Sequence, residues 1–176
     1  MRGLHAFILL AVVSVSFSAD LRGIVVGISD GDTISLLVTQ RNVKKRSTVR
    51  LEGINAPEVD QPFGKVSRQF LAALVFRKVV SIKVTGKDKY GRSLGFVKVG
   101  GIDVNQTMVR SGMAWWYRKY APSNKILQQA EAEARSRKSG LWAAKSMPPW
   151  EWRHGGKIEE FLKRARGRKV ENTKYK

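Results

Sequence analysis

Short runs of alternating apolar and polar residues recur between residues 21 and 99. β-Branched residues gather in five of these runs, and glycine or polar turn residues bound each run, which is the pattern of half-buried β-strands. The runs predict strands at residues 21–28, 33–39, 47–54, 79–85 and 94–99. Residues 40–46 are polar and basic, and this composition indicates a loop between the second and third strands.

Helical spacing replaces the alternation in three places. Between the third and fourth strands, apolar residues recur every three or four positions and predict a helix over residues 63–77, with an apolar face formed by Val66, Phe70, Leu71 and Leu74. A short helix is predicted over residues 104–111. A longer helix is predicted to begin at Ser123 or Asn124, to run to about residue 139 and to end at a glycine cap, Gly140.

The predicted order of elements narrows the fold to the α+β class. Three strands, a helix and two further strands agree with the connectivity of an OB-type five-stranded barrel, a fold that often binds oligonucleotides. Periodicity alone also allows another small α+β sheet.

The two ends of the chain differ from this central part. Residues 1–19 have a positive start, an apolar run from Ala6 to Val15 and small residues at the end, which predicts a secretory signal peptide and a secreted or periplasmic protein. The apolar run is too short for a comfortable membrane span, so no stable span is expected. Residues 20–144 form the predicted domain, and residues 145–176 form a segment rich in proline and tryptophan followed by a basic tail. Residues 158–166 of this tail are compatible with a helix.

Composition points to a polyanionic partner. The chain has 176 residues, which is enough for one domain with a real core, and 33 Lys and Arg against 14 Asp and Glu give a formal net charge of +19. Nucleic acid is the commonest partner of such a chain, although charge alone does not separate it from an anionic cell envelope. The absence of cysteine excludes disulfides and cysteine metal sites. No sequence feature indicates an oligomer, so a monomer is expected.

Charged side chains cluster in three segments, of which the second runs from a predicted strand into a polar turn. They are Asp30-Gly31-Asp32-Thr33, the stretch from Arg50 to Glu58, and the turn from Lys87 to Arg92. Alone, each is ordinary: an Asp-Gly-Asp turn, a solvated strand face and an exposed charged hairpin. Together they offer carboxylate and amide oxygens beside cations, which suits an anion bound with a metal. The two histidines, His5 and His154, lie in the predicted signal peptide and the C-terminal segment, which leaves little material for a histidine-based nuclease mechanism.

In this order and at these separations, the segments resemble the thermonuclease (micrococcal or staphylococcal nuclease) family. The resemblance rests on D-G-D-T at 30–33, R-L-E-G-I-N-A-P-E at 50–58, D-K-Y-G-R at 88–92 and V-R-S-G-M-A at 109–114, and it spans about Leu21 to Trp142. It implies an OB-fold barrel with three helices. It also implies calcium-dependent hydrolysis of DNA and RNA with low sequence preference, which leaves 3′-phosphate ends.

The resemblance also assigns candidate metal ligands. Asp32 matches the family's first calcium ligand, and Ala56 matches a position that binds calcium through its backbone carbonyl. Asn55 stands where the family commonly has a second aspartate. An amide oxygen can bind calcium, but without a negative charge, so this departure weakens the expected metal site.

The remaining candidate residues act on water and on the nucleic acid. Glu58 resembles the family's general base, which orients or deprotonates the attacking water. Arg50 and Arg92 resemble the two arginines that clamp the phosphate, because a guanidinium presents two parallel donors to phosphate oxygens. Lys89 and Tyr90 match family positions near the terminal phosphate, and Tyr120 matches a family tyrosine that packs on a nucleotide base.

Two other functions stay open at the level of sequence. A non-catalytic nucleic-acid-binding module could use the same barrel, and Asn55 favours that interpretation. Retention of Asp32, Arg50, Glu58 and Arg92 favours catalysis instead, because a binding module does not need all four. A third interpretation is a cationic protein that binds anionic envelopes through its basic tail.

Overall fold

A computed structural model describes residues 20–40, 42–155 and 160–163. The predicted signal peptide and most of the basic tail lie outside the described residues. No helix among the described residues has the length and apolar character needed to cross a bilayer. Within those residues the elements, in chain order, are β1 (Asp20–Asp30), β2 (Thr33–Gln40), β3 (Val43–Leu51), β4 (Ile54–Asn55), α1 (Gly64–Val75), β5 (Val79–Lys87), β6 (Ser93–Val99), β7 (Ile102–Asp103), α2 (Val104–Arg110), β8 (Trp115–Trp116), α3 (Lys125–Ser136), a 3₁₀ turn (Gly140–Trp142) and α4 (Pro149–Trp152).

Five of the strands close into a barrel. The sheet runs in the order β3-β2-β1-β5-β6, with antiparallel neighbours, and β7 extends it at one edge. A parallel pairing between β3 and β6, from Val49 opposite Ser93 to Leu51 opposite Gly95, joins the two ends of the five-stranded sheet. The predicted OB-type α+β fold is therefore confirmed.

The third strand differs from its prediction at both ends. Residues 40–46 were expected to form a loop, but β3 begins at Val43 and pairs with β2 as far as Gln40. Residues 43–46 are exposed, so this part of the strand has no apolar face from which sequence could reveal it. The strand also ends earlier than predicted, at Leu51, and β4 pairs separately with β8.

The helices follow the predicted spacing with two corrections. On α1, Leu71 and Val75 are buried, but Val66 is 45% exposed, so it does not belong to the apolar face. Gly140 does not cap the long helix: α3 ends at Ser136, and Lys138 has the left-handed backbone conformation. Gly140 instead lies so close to Gly112 that an added Cβ would stand 2.3 Å from the Gly112 carbonyl oxygen. Asn124 caps α3 by accepting a hydrogen bond from the backbone N–H of Leu127 at 3.0 Å.

A fourth helix adds to the three that were predicted. The one-turn helix α4 lies in residues 147–154, which we call the Pro-Trp segment. Residues 160–163 are helical, while the remainder of the helix predicted at 158–166 lies outside the described residues.

Candidate active site

The turn between β1 and β2 is held tightly against the rest of the domain. A Cβ atom at Gly31 would lie 1.9 Å from the Ser67 hydroxyl oxygen on α1 and 2.7 Å from the Ala56 side chain, so only glycine fits. The backbone N–H of Asp32 donates to the carboxylate of Asp30 at 3.1 Å. This packing fixes two carboxylates beside the chain that follows β4.

Asp32 is the most highly connected of the predicted site residues. Its side chain is almost fully buried, and one carboxylate oxygen accepts hydrogen bonds from the Arg50 guanidinium and from the Thr33 hydroxyl at 3.0 Å. The other oxygen accepts the backbone N–H of Ala56 at 3.0 Å. A buried carboxylate needs a cation and hydrogen-bond donors of this kind. The network therefore joins the predicted ligands Asp32 and Ala56 to the predicted phosphate clamp Arg50.

Asn55 extends the same network. Its side chain is completely buried, and its carbonyl oxygen Oδ1 accepts a hydrogen bond at 3.1 Å from Arg50 and another at 3.1 Å from Arg153. Its amide nitrogen Nδ2 is buried and has no hydrogen-bond partner among the described residues. Guanidinium groups only donate hydrogen bonds, so the atom of Asn55 that faces them must be its oxygen. These contacts therefore fix the orientation of the Asn55 amide, with the oxygen towards the two arginines.

The environment of Asp30 disfavours its ionised form. Burial, and then the neighbouring negative charge of Asp32, raise the pKa of Asp30 to about 7. A cation bound in the turn would favour the ionised form and so oppose this shift.

Glu58 begins a tight turn that leads into α1. Its backbone N–H donates to the Gln61 side-chain oxygen at 3.2 Å, and its carbonyl accepts the Gln61 backbone N–H at 3.0 Å. A Cβ at Gly64 would lie 1.7 Å from the Glu58 carbonyl oxygen, so the turn requires glycine there. The Glu58 carboxylate accepts a hydrogen bond from Nε of Arg153 at 2.5 Å.

Arg92 lies on a separate, self-contained turn between β5 and β6. Its Nε donates to Asp88 at 2.7 Å, and the other Asp88 oxygen accepts the backbone N–H groups of Tyr90 and Arg92 at 2.9 Å and 3.0 Å. Slight burial acts to raise the pKa of Asp88, but these hydrogen bonds outweigh it and hold the pKa below its usual range. The β3–β6 register pairs Val49 with Ser93, so Arg92 lies in the turn one residue before β6, the strand that pairs with β3 and its Arg50. None of the described contacts joins Arg92 to Asp32, Asn55 or Glu58.

The three predicted substrate contacts lie on exposed surface. Tyr90 is 73% exposed, with the Lys89 ammonium 5.0 Å and the Arg92 guanidinium 5.5 Å from its ring centre. Tyr120 is 63% exposed and meets Tyr117 edge-on with ring centres 4.9 Å apart. The Lys119 ammonium lies 5.6 Å from the ring centre of Tyr120, so cations accompany both exposed rings.

Sequence reasoning missed the contribution of the Pro-Trp segment. The Gln61 side chain donates to the backbone carbonyl of Met147 at 2.5 Å, and Trp150 stacks on Tyr117 with ring planes 2° apart. These contacts bring Arg153 to Glu58 and Asn55. The composition of residues 147–154 marked them as unusual, but no local pattern indicated where they dock.

An open groove of about 910 Å³ lies beside these groups. Its acidic lining comes from Asp30, Glu58 and Asp60, Lys65 contributes a cation, and Val66 and Trp152 contribute apolar surface. The exposure of Val66 is thus explained by its place in the groove wall.

The oxygen atoms of the site fit a hard cation such as calcium. Asp32 offers a carboxylate, Asn55 an amide oxygen turned towards positive charge, and Ala56 a backbone carbonyl, and all three are ligand types that calcium accepts. Asp32 is the only one of these three residues with a negative charge, and the described residues contain no cluster of three or more His, Cys, Asp or Glu suited to a metal. Both lone pairs of Asn55 Oδ1 face arginines, so a metal ion that bound this oxygen would have to displace at least one of them.

The fold and the site together define a class of protein. It is a small OB-type barrel that gathers carboxylates, an amide oxygen and guanidinium groups at one place beside an open groove. This combination suits the binding and hydrolysis of phosphodiesters, because it offers a base, oxygen ligands and cations for phosphate oxygens.

Comparisons with known proteins give the family. The family model described as "Staphylococcal nuclease homologue" matches residues 48–144. A micrococcal nuclease of Shigella flexneri is 42% identical over 168 residues, which cover 89% of this chain and 94% of the relative. An uncharacterized endonuclease of Escherichia coli O157:H7 is 42% identical over 138 residues, covering 77% and 87% of the two chains. Protein ParB of Escherichia coli is 41% identical over 164 residues, covering 87% and 90%.

The chain therefore belongs to the staphylococcal nuclease family, as its motifs predicted. The relatives support nuclease activity on a nucleic-acid substrate, and nucleases of this family are generally metal-dependent. The matched range includes Arg50, Asn55, Glu58 and Arg92. It begins after Asp32, whose place in the site rests on its hydrogen bonds to Arg50 and Ala56. The individual roles of these residues stay predictions.

Proposed function

We propose that this protein is an exported, monomeric, calcium-dependent nuclease that hydrolyses DNA and RNA with low sequence preference and leaves 3′-phosphate ends. One observation carries the proposal: a continuous hydrogen-bond network joins Asp32, Arg50 and Asn55 to Glu58 through Arg153. The network thus brings candidate metal ligands and the candidate base together with Arg50, one of the two predicted phosphate-binding arginines. The expectation of export rests on residues 1–19 and that of a polyanionic substrate on the net charge of +19.

Calcium, when bound by Asp32, Asn55 and the Ala56 carbonyl, would supply positive charge next to the phosphate oxygens. Glu58 would orient the attacking water and accept its proton. Arg50 and Arg92 would each present paired N–H donors to the phosphate as negative charge builds on its oxygens. The water oxygen bonds to phosphorus, the bond to the 5′-oxygen breaks, and the leaving 5′-oxygen takes up a proton, so the phosphate stays on the 3′ side.

Tyr120 would act on a nucleotide base rather than on the reacting bond. Its flat ring is largely exposed, and stacking on such a ring tolerates every base. Lys89, next to Tyr90, adds positive charge for a terminal phosphate. Contacts of this kind account for an enzyme that cuts with little sequence preference.

The proposal is tested by digestion of plasmid DNA and of RNA by the protein that begins at residue 20. We expect cleavage with calcium and none with a chelator. The product ends should serve as primers for a polymerase only after phosphatase treatment, because a 3′-phosphate blocks extension. Direct extension without phosphatase would contradict the predicted side of cleavage.

An Asn55→Asp variant, tested in parallel, addresses the alternative of a binding module. Asn55 favours that alternative because it removes a charge from the metal site and because both its lone pairs already face arginines. We expect the parent to cleave and the variant to need about tenfold less calcium for half-maximal rate, since a carboxylate replaces an amide. Binding without cleavage by the parent, with cleavage restored in the variant, would show that this barrel serves as a binding module.

A further inference from the structure

The Pro-Trp segment is fixed to the domain by aromatic and polar contacts. Trp150 stacks on Tyr117 with ring centres 5.6 Å apart and meets Trp115 edge-on at 6.2 Å. The Met147 carbonyl accepts the Gln61 side-chain N–H at 2.5 Å. Aromatic pairs of this geometry add stability beyond the area they bury. The segment therefore docks beside the groove instead of leaving the domain at residue 145.

The docked segment brings Arg153 into the candidate site. Its Nε donates to the Glu58 carboxylate at 2.5 Å, and one terminal nitrogen donates to Asn55 Oδ1 at 3.1 Å. Asn55 Oδ1 accepts from Arg50 at the same distance. Arg153 and Arg50 thus share one acceptor, although one lies on the C-terminal segment and the other on a barrel strand.

The position of Arg153 leaves it able to bind something further. A guanidinium carries five N–H donors, and the bonds to Glu58 and Asn55 use two of them. The side chain is 42% exposed, and Trp152, the residue before it, lines the open groove next to Glu58. The remaining donors can therefore meet an anion in the groove while Nε still holds the Glu58 carboxylate.

We propose that Arg153 is a third phosphate-binding arginine of this site, which also positions Glu58. We infer a phosphate group as the anion, because its oxygens match the paired donors of a guanidinium and because the chain as a whole is positively charged. Arg153 links the carboxylate that acts on water to the phosphate that the water attacks. This inference rests on the proposed function, because it takes a nucleic-acid phosphate as the ligand of the groove.

The test measures binding of a ten-residue oligothymidylate in the presence of a chelator, at several salt concentrations, so that no cleavage is required. Arg153→Met keeps much of the apolar stem but removes every donor, and Arg153→Lys keeps one charge without the fork. Arg137→Met is the matched control, because Arg137 is also an exposed arginine paired with a glutamate, Glu133. Trp150→Ala removes the stacked ring while leaving Arg153 in the chain.

We expect Arg153→Met to weaken binding about tenfold at low salt and to reduce the slope of log affinity against log salt by roughly 0.7, the value for one lost contact to single-stranded phosphate. Arg153→Lys should bind with intermediate affinity, and Trp150→Ala should follow Arg153→Met. Arg137→Met should match the parent. With calcium, Arg153→Met should show both a higher KM and a lower kcat, because it loses a phosphate contact and the positioning of Glu58.

Two results would overturn the inference. Unchanged affinity and salt slope in a folded Arg153→Met protein would show that Arg153 does not bind phosphate. Tighter binding or faster cleavage would show that Arg153 obstructs the groove. Binding is measured without turnover, so failure of the parent to cleave would count against the proposed nuclease function but would leave the test of Arg153 intact.

Discussion

Arg50 and Arg92 match the same phosphate-clamping role, yet their surroundings differ. Arg50 is largely buried on β3 and bonds to Asp32, which lies on the turn after β1, and to Asn55 in β4. Arg92 is more exposed and bonds to Asp88 four residues away in its own turn. The barrel holds Arg50 through contacts between separate elements, whereas local bonds hold Arg92. We therefore expect Arg50 to have the same position before and after the substrate binds. The turn that carries Arg92 should be able to shift as a unit when the substrate binds.

We expect the largest loss of activity from the substitution Arg50→Lys. Lysine keeps the positive charge that the buried Asp32 needs but cannot present two parallel donors to phosphate. We expect kcat to fall about 10²–10³-fold, the usual effect of removing a preorganised donor. Steady-state cleavage of a labelled oligonucleotide measures this, with thermal unfolding as the check on folding. A fall of less than threefold would mean that Arg50 serves the fold more than the phosphate.

The substitution Asp30→Asn tests the buried part of the site that contains Arg50, through its effect on the free energy of unfolding. The pKa of Asp30 is raised to about 7 from an ordinary value of 3.8, so the folded state binds the proton more tightly than the unfolded chain. The contribution of this group to the free energy of unfolding is therefore fully present below about pH 4, where Asp30 is protonated, and is lost as the pH rises towards 7. In chelator, the variant should be more stable than the parent at pH 8, by on the order of 1–3 kcal/mol, and equally stable at pH 4.

Urea unfolding at the two pH values measures this difference. Asp103→Asn is a suitable control, because Asp103 caps α2 through its side-chain oxygen, a contact that asparagine can also make. An Asp30→Asn variant that loses stability at pH 8 would contradict this expectation, because it would show that the ionised Asp30 carboxylate stabilises the turn.

The substitution Asp88→Asn tests the exposed turn that carries Arg92. Asparagine can still accept the backbone N–H groups of Tyr90 and Arg92, but it lacks the charge that pairs with the Arg92 guanidinium. We expect kcat/KM to fall about tenfold, less than for Arg50→Lys, because the turn keeps its backbone bonds. An effect as large as that of Arg50→Lys would show that both arginines depend equally on preorganisation.

Tyr120→Ala should have the smallest effect. The ring is exposed and its predicted role is to stack on a base, so its loss should raise KM about fivefold, at the low end of the range for base stacking, and leave kcat unchanged. Tyr120→Phe keeps the flat ring and should match the parent. A fall in kcat would instead place Tyr120 near the reacting phosphate.

Sequence predicted the parts of the molecule that local patterns determine. Alternation on β3 placed Val49 and Leu51 in the core and Arg50 on the other face, and the structure has them so. The exposed beginning of β3 at Val43 escaped prediction because the pairing with β2, and not burial, makes it a strand. The contact of Arg153 with Glu58 joins residues 95 positions apart. No periodicity encodes such a contact, which depends on how Trp150 packs against Tyr117.

The central claim is that Glu58 is the base of a metal-dependent nuclease, and the rate of DNA cleavage with calcium by a folded Glu58→Gln variant tests it most directly. Glu52→Gln is the matched control, because Glu52 lies six residues earlier and its carboxylate accepts the Thr85 hydroxyl. We expect Glu58→Gln to lose at least about 10²-fold in kcat while keeping the parent's unfolding temperature, and Glu52→Gln to cleave at close to the parent's rate. Cleavage at the parent's rate by Glu58→Gln would contradict the account.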